Sequence, residues 1–152
     1  MTQNDEMTLC RLEARHIDRM AEIEALCFSD PWSRESLASE LDNPCAVYYI
    51  CEIGGQVAGY VGTRQMFDVW EIVNVATDPA FRRRHVATRL LEWLLRDAKA
   101  GGAAQLWLEV RESNLPARRC YEGLGFVQVG RRKRYYENPE EDALLMAREI
   151  EQ

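Results

Sequence analysis

The period of the apolar positions changes several times along the chain, and each change marks an element. Ile17, Met20, Ala21, Ile23, Leu26 and Cys27 recur at helical spacing, which predicts an amphipathic helix over 17–27 with Asp18 as its cap. After Asp30-Pro31-Trp32, Ser33 is a hydroxyl cap with Glu35 in the first turn, and the short helix it opens ends near Asn43-Pro44. From Cys45 the pattern becomes that of strands, 46–53 and 56–63, and the Gly54-Gly55 between them predicts a hairpin. A further strand over 70–77 stops at Asp78-Pro79. An apolar stripe from Val86 to Ala98 then predicts a helix halted at Gly101-Gly102, with an apolar strand over 105–110 behind it. Strand, helix, strand implies a parallel crossover. A short helix over 114–124 and strands over 126–129 and 143–147 complete an α/β fold, antiparallel in its first half and parallel in the middle.

Composition narrows the class. With 152 residues, 47% hydrophobic and 29% charged, the chain has the profile of one soluble domain spanning 1–152, and disorder or a collagen-like fibre is excluded. The net charge of −6 argues against a surface given wholly to nucleic acid. Yet residues 82–134 hold 13 Lys/Arg against 5 Asp/Glu, so a basic segment sits within an acidic remainder. The five cysteines form no C-x-x-C pair, and Met1 to Glu6 is polar and acidic; free thiols, no signal peptide and a cytoplasmic protein are expected. No apolar run approaches the ~20 residues of a spanning helix. Neither a membrane role, a metal site nor a direct nucleic-acid role is expected.

The junction Thr77-Asp78-Pro79-Ala80-Phe81-Arg82-Arg83-Arg84-His85-Val86-Ala87 carries the most chemistry. It delivers three arginines to a helix N-terminus, where the dipole and free N–H groups already favour an anion. A polyanionic partner and a solvated basic turn are both compatible with this. No G-x-x-x-x-G-K-[ST] is present and no G-x-G-x-x-G follows a strand, so the familiar nucleotide loops are excluded.

This stretch, with Leu90-Leu91 after it, resembles the Gcn5-related N-acetyltransferases (GNAT), whose Q/R-x-x-G-x-G/A turn binds the pyrophosphate of acetyl-coenzyme A. Arg82 and Ala87 match the first and last positions, while His85 stands where the family has Gly. Leu106-Trp107-Leu108-Glu109-Val110-Arg111-Glu112-Ser113-Asn114, then Tyr121-Glu122-x-Leu124-Gly125-Phe126, Arg134-Tyr135-Tyr136 and Glu141-Asp142-Ala143 extend the resemblance. With Phe28-Ser29-Asp30-Pro31-Trp32-Ser33, these are similar to the branch that acetylates the N-terminal alanine of a small-subunit ribosomal protein.

The resemblance implies a mixed sheet, antiparallel at first, whose central parallel pair is splayed to admit acetyl-CoA, flanked by about four helices. It implies Glu109 as general base, Tyr121 as general acid and Asn114 as a coenzyme contact. Val75, Ala76 and Thr77 would lend strand backbone to the acetyl and pantetheine groups, and Arg83, Arg84, His85, Val86, Ala87 and Thr88 would wrap the pyrophosphate. The chemistry agrees: an N-terminal amine, with a pKa of about 7.7–8.0, must lose a proton before it attacks, and a strand-end carboxylate can take it. Glu71 is a rival base. Tyr135 and Tyr136 either line a peptide channel or are packing aromatics, and Arg131-Arg132-Lys133-Arg134 either grips phosphate or is a solvated hairpin. His85 either weakens coenzyme binding or joins the arginines in neutralising phosphate. The implied protein is a monomer or weak dimer acting on a ribosomal-protein N-terminal peptide. The alternatives are a coenzyme-binding or ribosome-associated module without turnover, or an acetyltransferase of small-molecule amines or lysine.

Overall fold

A computed structural model of the protein describes residues 6–151. Most of the polar stretch that bears on a signal peptide, Met1 to Asp5, lies outside the described residues. The strands are β1 (Met7–Arg11), β2 (Ala46–Ile53), β3 (Gln56–Met66), β4 (Val69–Thr77), β5 (Gln105–Arg111), β6 (Val127–Tyr136) and β7 (Glu141–Glu149). The α-helices are α1 (Ile17–Cys27), α2 (Arg34–Ser39), α3 (Val86–Ala100) and α4 (Leu115–Gly123). The strands form one sheet in the order β1-β2-β3-β4-β5-β7-β6, antiparallel throughout except at β4 and β5. α1 and α2 cover one face, packing Ile17, Met20, Ile23 and Leu37 on Tyr48, Ile50 and Tyr60. α3 and α4 cover the other, where Leu90, Leu91 and Leu94 meet Val61, Leu106 and Leu108.

Local signals account for several boundaries. Ser33 Oγ accepts the Ser36 N–H at 3.0 Å, capping α2 as its hydroxyl predicts. Gly54 and Gly55 take φ of 61° and 83°, the left-handed pair that a tight hairpin needs. Asp18 differs from expectation: it lies in the first turn of α1 and is not the cap, because the chain enters through a 3₁₀ turn at Ala14–His16, where His16 Nδ1 accepts the Glu13 N–H at 2.9 Å. β1 has no counterpart in the periodicity, being five residues added to the sheet edge by pairing with β2. β6 runs seven residues past 129, because as an exposed edge strand it buries no alternate face to leave a pattern.

The site is made by a failure of pairing. β4 and β5 bond in register only from Val69↔Gln105 to Ile72↔Leu108. Beyond that point each strand continues, but β4 pairs with β3 alone and β5 with β7 alone. A bulge initiates the divergence: Gly62 opposes Asn74 and Thr63 opposes Ile72, leaving Val73 as the extra residue. It also inverts the facing of the strand. Trp70 and Ile72 join the core under α3, whereas Asn74 turns its side chain to Glu24 of α1 and Ala76 joins the α1–α2 core.

Candidate active site

A cavity of about 870 Å³ opens where β4 and β5 part, walled by the loop after α1, both strands, the start of α4 and the β6–β7 hairpin. Glu109 is the first residue of β5 beyond its last pair with β4, and its side chain is 19% exposed. Arg132 Nε stands 3.0 Å from its Oε2, a buried oxygen that makes no hydrogen bond of good geometry. Tyr136 lies nearby: burial first, then the charge of Glu109, pushes its hydroxyl up to about 12. Tyr121 reaches the cavity from α4, across the sheet from α1, with its ring tilted on Phe126 at 6.0 Å between centroids. Burial raises its hydroxyl well above the ordinary tyrosine value, so it stays protonated, and no described residue accepts its hydrogen bond.

Leu108 and Val110 share the α3–α4 core with Tyr121, so strand alternation turns Glu109 to the opposite face, and both Glu109 and Tyr121 line the cavity where the sheet splits. Glu71 lines the same cavity but is exposed, on the paired part of β4. Tyr135 and Tyr136 both line the cavity and also pack on each other edge to face, with ring centroids 5.1 Å apart. Asn114 is there too, its Oδ1 engaged by the Ala117 N–H at 3.3 Å as the cap of α4, leaving Nδ2 as a donor.

The three β4 residues divide. The Asp78 N–H donates to the Ala58 carbonyl at 2.8 Å, so strand alternation turns the backbone of Ala76 toward β3 and that of Val75 and Thr77 into the gap. The Cys27 thiol donates to the Thr77 carbonyl at 3.2 Å. Ala76 thus offers the gap neither backbone nor side chain.

Beyond β4, Arg83 and His85 both adopt left-handed backbone, with φ of 66° and 60°, and His85 leads directly into α3. Successive N–H groups bent this way form an anion nest. Among the described residues the N–H groups of Arg83, Arg84, His85, Val86, Ala87 and Thr88 find no protein acceptor. No carboxylate pairs with Arg82, Arg83 or Arg84 within the described residues. Orphaned donors at a helix N-terminus beside unneutralised cations fit a pyrophosphate. The His85 replacement is compatible with this geometry, since histidine is among the residues that enter the left-handed region.

The basic run at 131–134 is largely neutralised internally. Arg131 pairs with Glu112 and Asp142 at 2.8 Å each, Arg132 with Glu109, and Arg134 with Glu140 at 3.4 Å. Three of its four cations are thus already matched by carboxylates.

Several residues at the site escaped the sequence reading. Arg111 donates to the Pro139 carbonyl at 2.9 Å and the Glu137 carbonyl at 2.8 Å, and stacks 4.5 Å over Tyr136, bracing the β6–β7 hairpin. Glu24 is a charge on the buried stripe of α1, four residues after Met20, an irregularity the sequence does display. Away from the cavity, Cys10, His16 and Glu52 bring ligand-type atoms within 4.8 Å of one another. His16 Nδ1 accepts from Glu13, so its proton lies on Nε2 and points at Glu52 Oε2, 2.9 Å away, which also accepts from Arg15 at 2.6 Å. These bonds already use both ring nitrogens.

The chain belongs to the Acetyltransferase (GNAT) family, whose profile matches residues 17–126. The [ribosomal protein bS18]-alanine N-acetyltransferase of Escherichia coli K12 is 33% identical over 142 residues, 92% of this chain and 95% of that one. The N-alpha-acetyltransferase RimI of Mycobacterium tuberculosis is 35% identical over 157 residues, 98% of this chain and 97% of its own. The crystal structure of the Escherichia coli ribosomal-protein-S18-alanine N-acetyltransferase superposes with a TM-score of 0.90 at 32% identity, covering 97% of this chain and 96% of that one. Arabidopsis thaliana NAA60 in complex with acetyl-CoA shares the fold, with a TM-score of 0.83 at 16% identity.

Proposed function

We propose that this protein transfers the acetyl group of acetyl-CoA to the N-terminal alanine amine of ribosomal protein bS18, by direct attack in a ternary complex. The observation that carries this reading is the parting of β4 from β5, which opens one cavity to both Glu109 and Tyr121 along a strand leading to the anion nest. The nest from Arg83 to Thr88 holds the pyrophosphate, and the free edge of β4 at Val75 and Thr77 takes the pantetheine as an added strand would be taken. Asn114 Nδ2 supplies a further contact. Glu109 removes the proton from the acceptor ammonium, directly or through one water, which allows attack on the thioester carbonyl; as the C–S bond breaks, the second proton shed by the nitrogen passes to the departing sulfur. N–H groups on the free β4 edge face the developing oxyanion.

Tyr121 acts chiefly as a hydrogen-bond donor to the departing thiolate. A thiol pKa lies at about 8.5, well below that of a buried tyrosine, so complete transfer from Tyr121 is uphill while a hydrogen bond is not. The loop after α1 and Tyr135 and Tyr136 guide the acceptor peptide. Glu109 and Glu141 are matched by Arg132 and Arg111, and the cavity's remaining carboxylates, Glu24, Asp30 and Glu71, have no cationic partner among the described residues, which suits a cationic N-terminus. The whole chain, 1–152, acts as one domain and as a monomer or weak dimer. Its five free cysteines suit the cytoplasm. Among the described residues no helix is long and apolar enough to cross a membrane.

The test is coenzyme A release over a panel of N-terminal peptides. An alanine-starting ribosomal peptide should be the best acceptor, and Glu109→Gln should lower kcat about 100-fold or more. A polyamine or a lysine side chain outcompeting that peptide would overturn the acceptor assignment; a normal rate at neutral pH in Glu109→Gln would overturn the base.

A further inference from the structure

Glu24 is fully buried on α1, in the wall of the cavity, and no Lys or Arg pairs with it among the described residues. A lone buried carboxylate is costly unless hydrogen bonds surround it. Here they do, and they come from three different elements. Oε1 accepts the backbone N–H of Trp32 at 2.8 Å, while Oε2 accepts the Tyr60 hydroxyl at 2.6 Å and Asn74 Nδ2 at 2.9 Å. Burial and the Glu24 charge together push the Tyr60 hydroxyl far above its usual value, which keeps it a donor. Donors converge from every side, so an acceptor-only group is required and a glutamine would turn an N–H₂ onto one of them.

The partners are placed informatively. Trp32 belongs to the loop after α1 that walls the cavity, and Asn74 is the first residue past the Val73 bulge, where β4 has just left β5. One carboxylate thus ties the loop to the strand whose free edge faces the gap. We infer that Glu24 is a positioning residue for acetyl transfer, setting the spacing between the acceptor-side loop and the thioester-side edge of β4. This rests on the reading that the acceptor enters along that loop.

The experiment measures Glu24→Gln three ways: hydrogen exchange of residues 28–33, affinity for coenzyme A, and KM and kcat with an alanine-starting peptide. Loss of charge-assisted bonds should speed exchange of the loop about tenfold and raise peptide KM by a similar factor. Coenzyme A affinity should stay within about twofold, because the nest is untouched. A parallel loss of coenzyme and peptide affinity would reduce Glu24 to general structural support and overturn the inference. So would faster loop exchange with unchanged peptide KM, or unchanged exchange. If the wild-type protein acetylates no peptide, the functional reading fails while loop exchange still decides whether Glu24 holds the loop. Tyr60→Phe removes one donor from a residue outside the cavity and should shift the same readouts in the same direction by about threefold, which keeps the test available should Glu24→Gln not fold.

Discussion

Gly59→Ala tests the joint between the sheet and the nest. Gly59 sits on β3 opposite Thr77, directly under the start of α3. A Cβ there would lie 2.7 Å from the Ala76 carbonyl oxygen, 2.7 Å from Val86 Cγ1 and 3.3 Å from Thr77 Cα. Comfortable carbon contacts begin near 3.5 Å, so two of these are deep overlaps. The carbonyl belongs to the β3–β4 ladder and cannot retreat, so Val86 must give way, and with it the first turn of α3. Overpacking of this kind costs about 1–3 kcal/mol, offset in part by roughly 0.5–1 kcal/mol from replacing a strand glycine. A net loss of about 1–2 kcal/mol corresponds to a fall in Tm of roughly 2–8 °C for a chain of this size. Displacement of His85 and Val86 should also weaken coenzyme A about tenfold while peptide KM at saturating coenzyme hardly moves. Calorimetric melting and binding titration read both effects. A Tm within about 1 °C of wild type with unchanged coenzyme affinity would refute the reasoning. Gly123→Ala is the control: its Cβ meets nothing within 4 Å on a helix, so it should be neutral or stabilising by up to about 1 kcal/mol.

Other substitutions probe separate parts. Tyr121→Phe should reduce kcat about 10- to 100-fold with little change in either KM, because only the leaving thiolate loses a donor; an unchanged kcat would remove Tyr121 from the reaction. His85→Gly should leave stability within about 1 kcal/mol, since relief of left-handed strain is offset by a more flexible unfolded chain, whereas His85→Val puts a β-branched residue at φ 60° and should lower Tm clearly. Glu141 is held below the usual carboxylate range by hydrogen bonds from Ser113 and by Arg111. Its contribution is present above the unfolded-state pKa and lost as pH falls through the depressed folded-state value. Glu141→Gln should therefore destabilise at pH 7, and urea melts of mutant and wild type should converge in strong acid.

Much of the candidate site is legible in the sequence. Glu109, Asn114 and Tyr121 followed from a contiguous motif, and they occupy one cavity because β5 and α4 are consecutive elements that carry them there. The nest was legible as a cluster of arginines before a helix, since a strand-to-helix turn is a local event. Arg132 was read only as part of a basic run. Its pairing with Glu109 depends on β7 lying between β5 and β6, a strand order set by the last segment of the chain.

The sequence by itself determined where most helices and strands form, through the 3.6- and 2-residue periods of residues buried on one side, though not β1 or the outer part of the edge strand β6, and it determined the family through motifs short enough to lie within single elements. Only the tertiary structure decided where the sheet splits. The bulge at Val73 has no period of its own, and it exists because β3 and β4 pair two different lengths of chain. Glu24 likewise becomes intelligible only when Trp32, Tyr60 and Asn74 converge on it from a loop and two strands. Periodicity reports burial against a neighbouring surface, whereas a buried charge is explained by which atoms, distant in the chain, arrive to satisfy it.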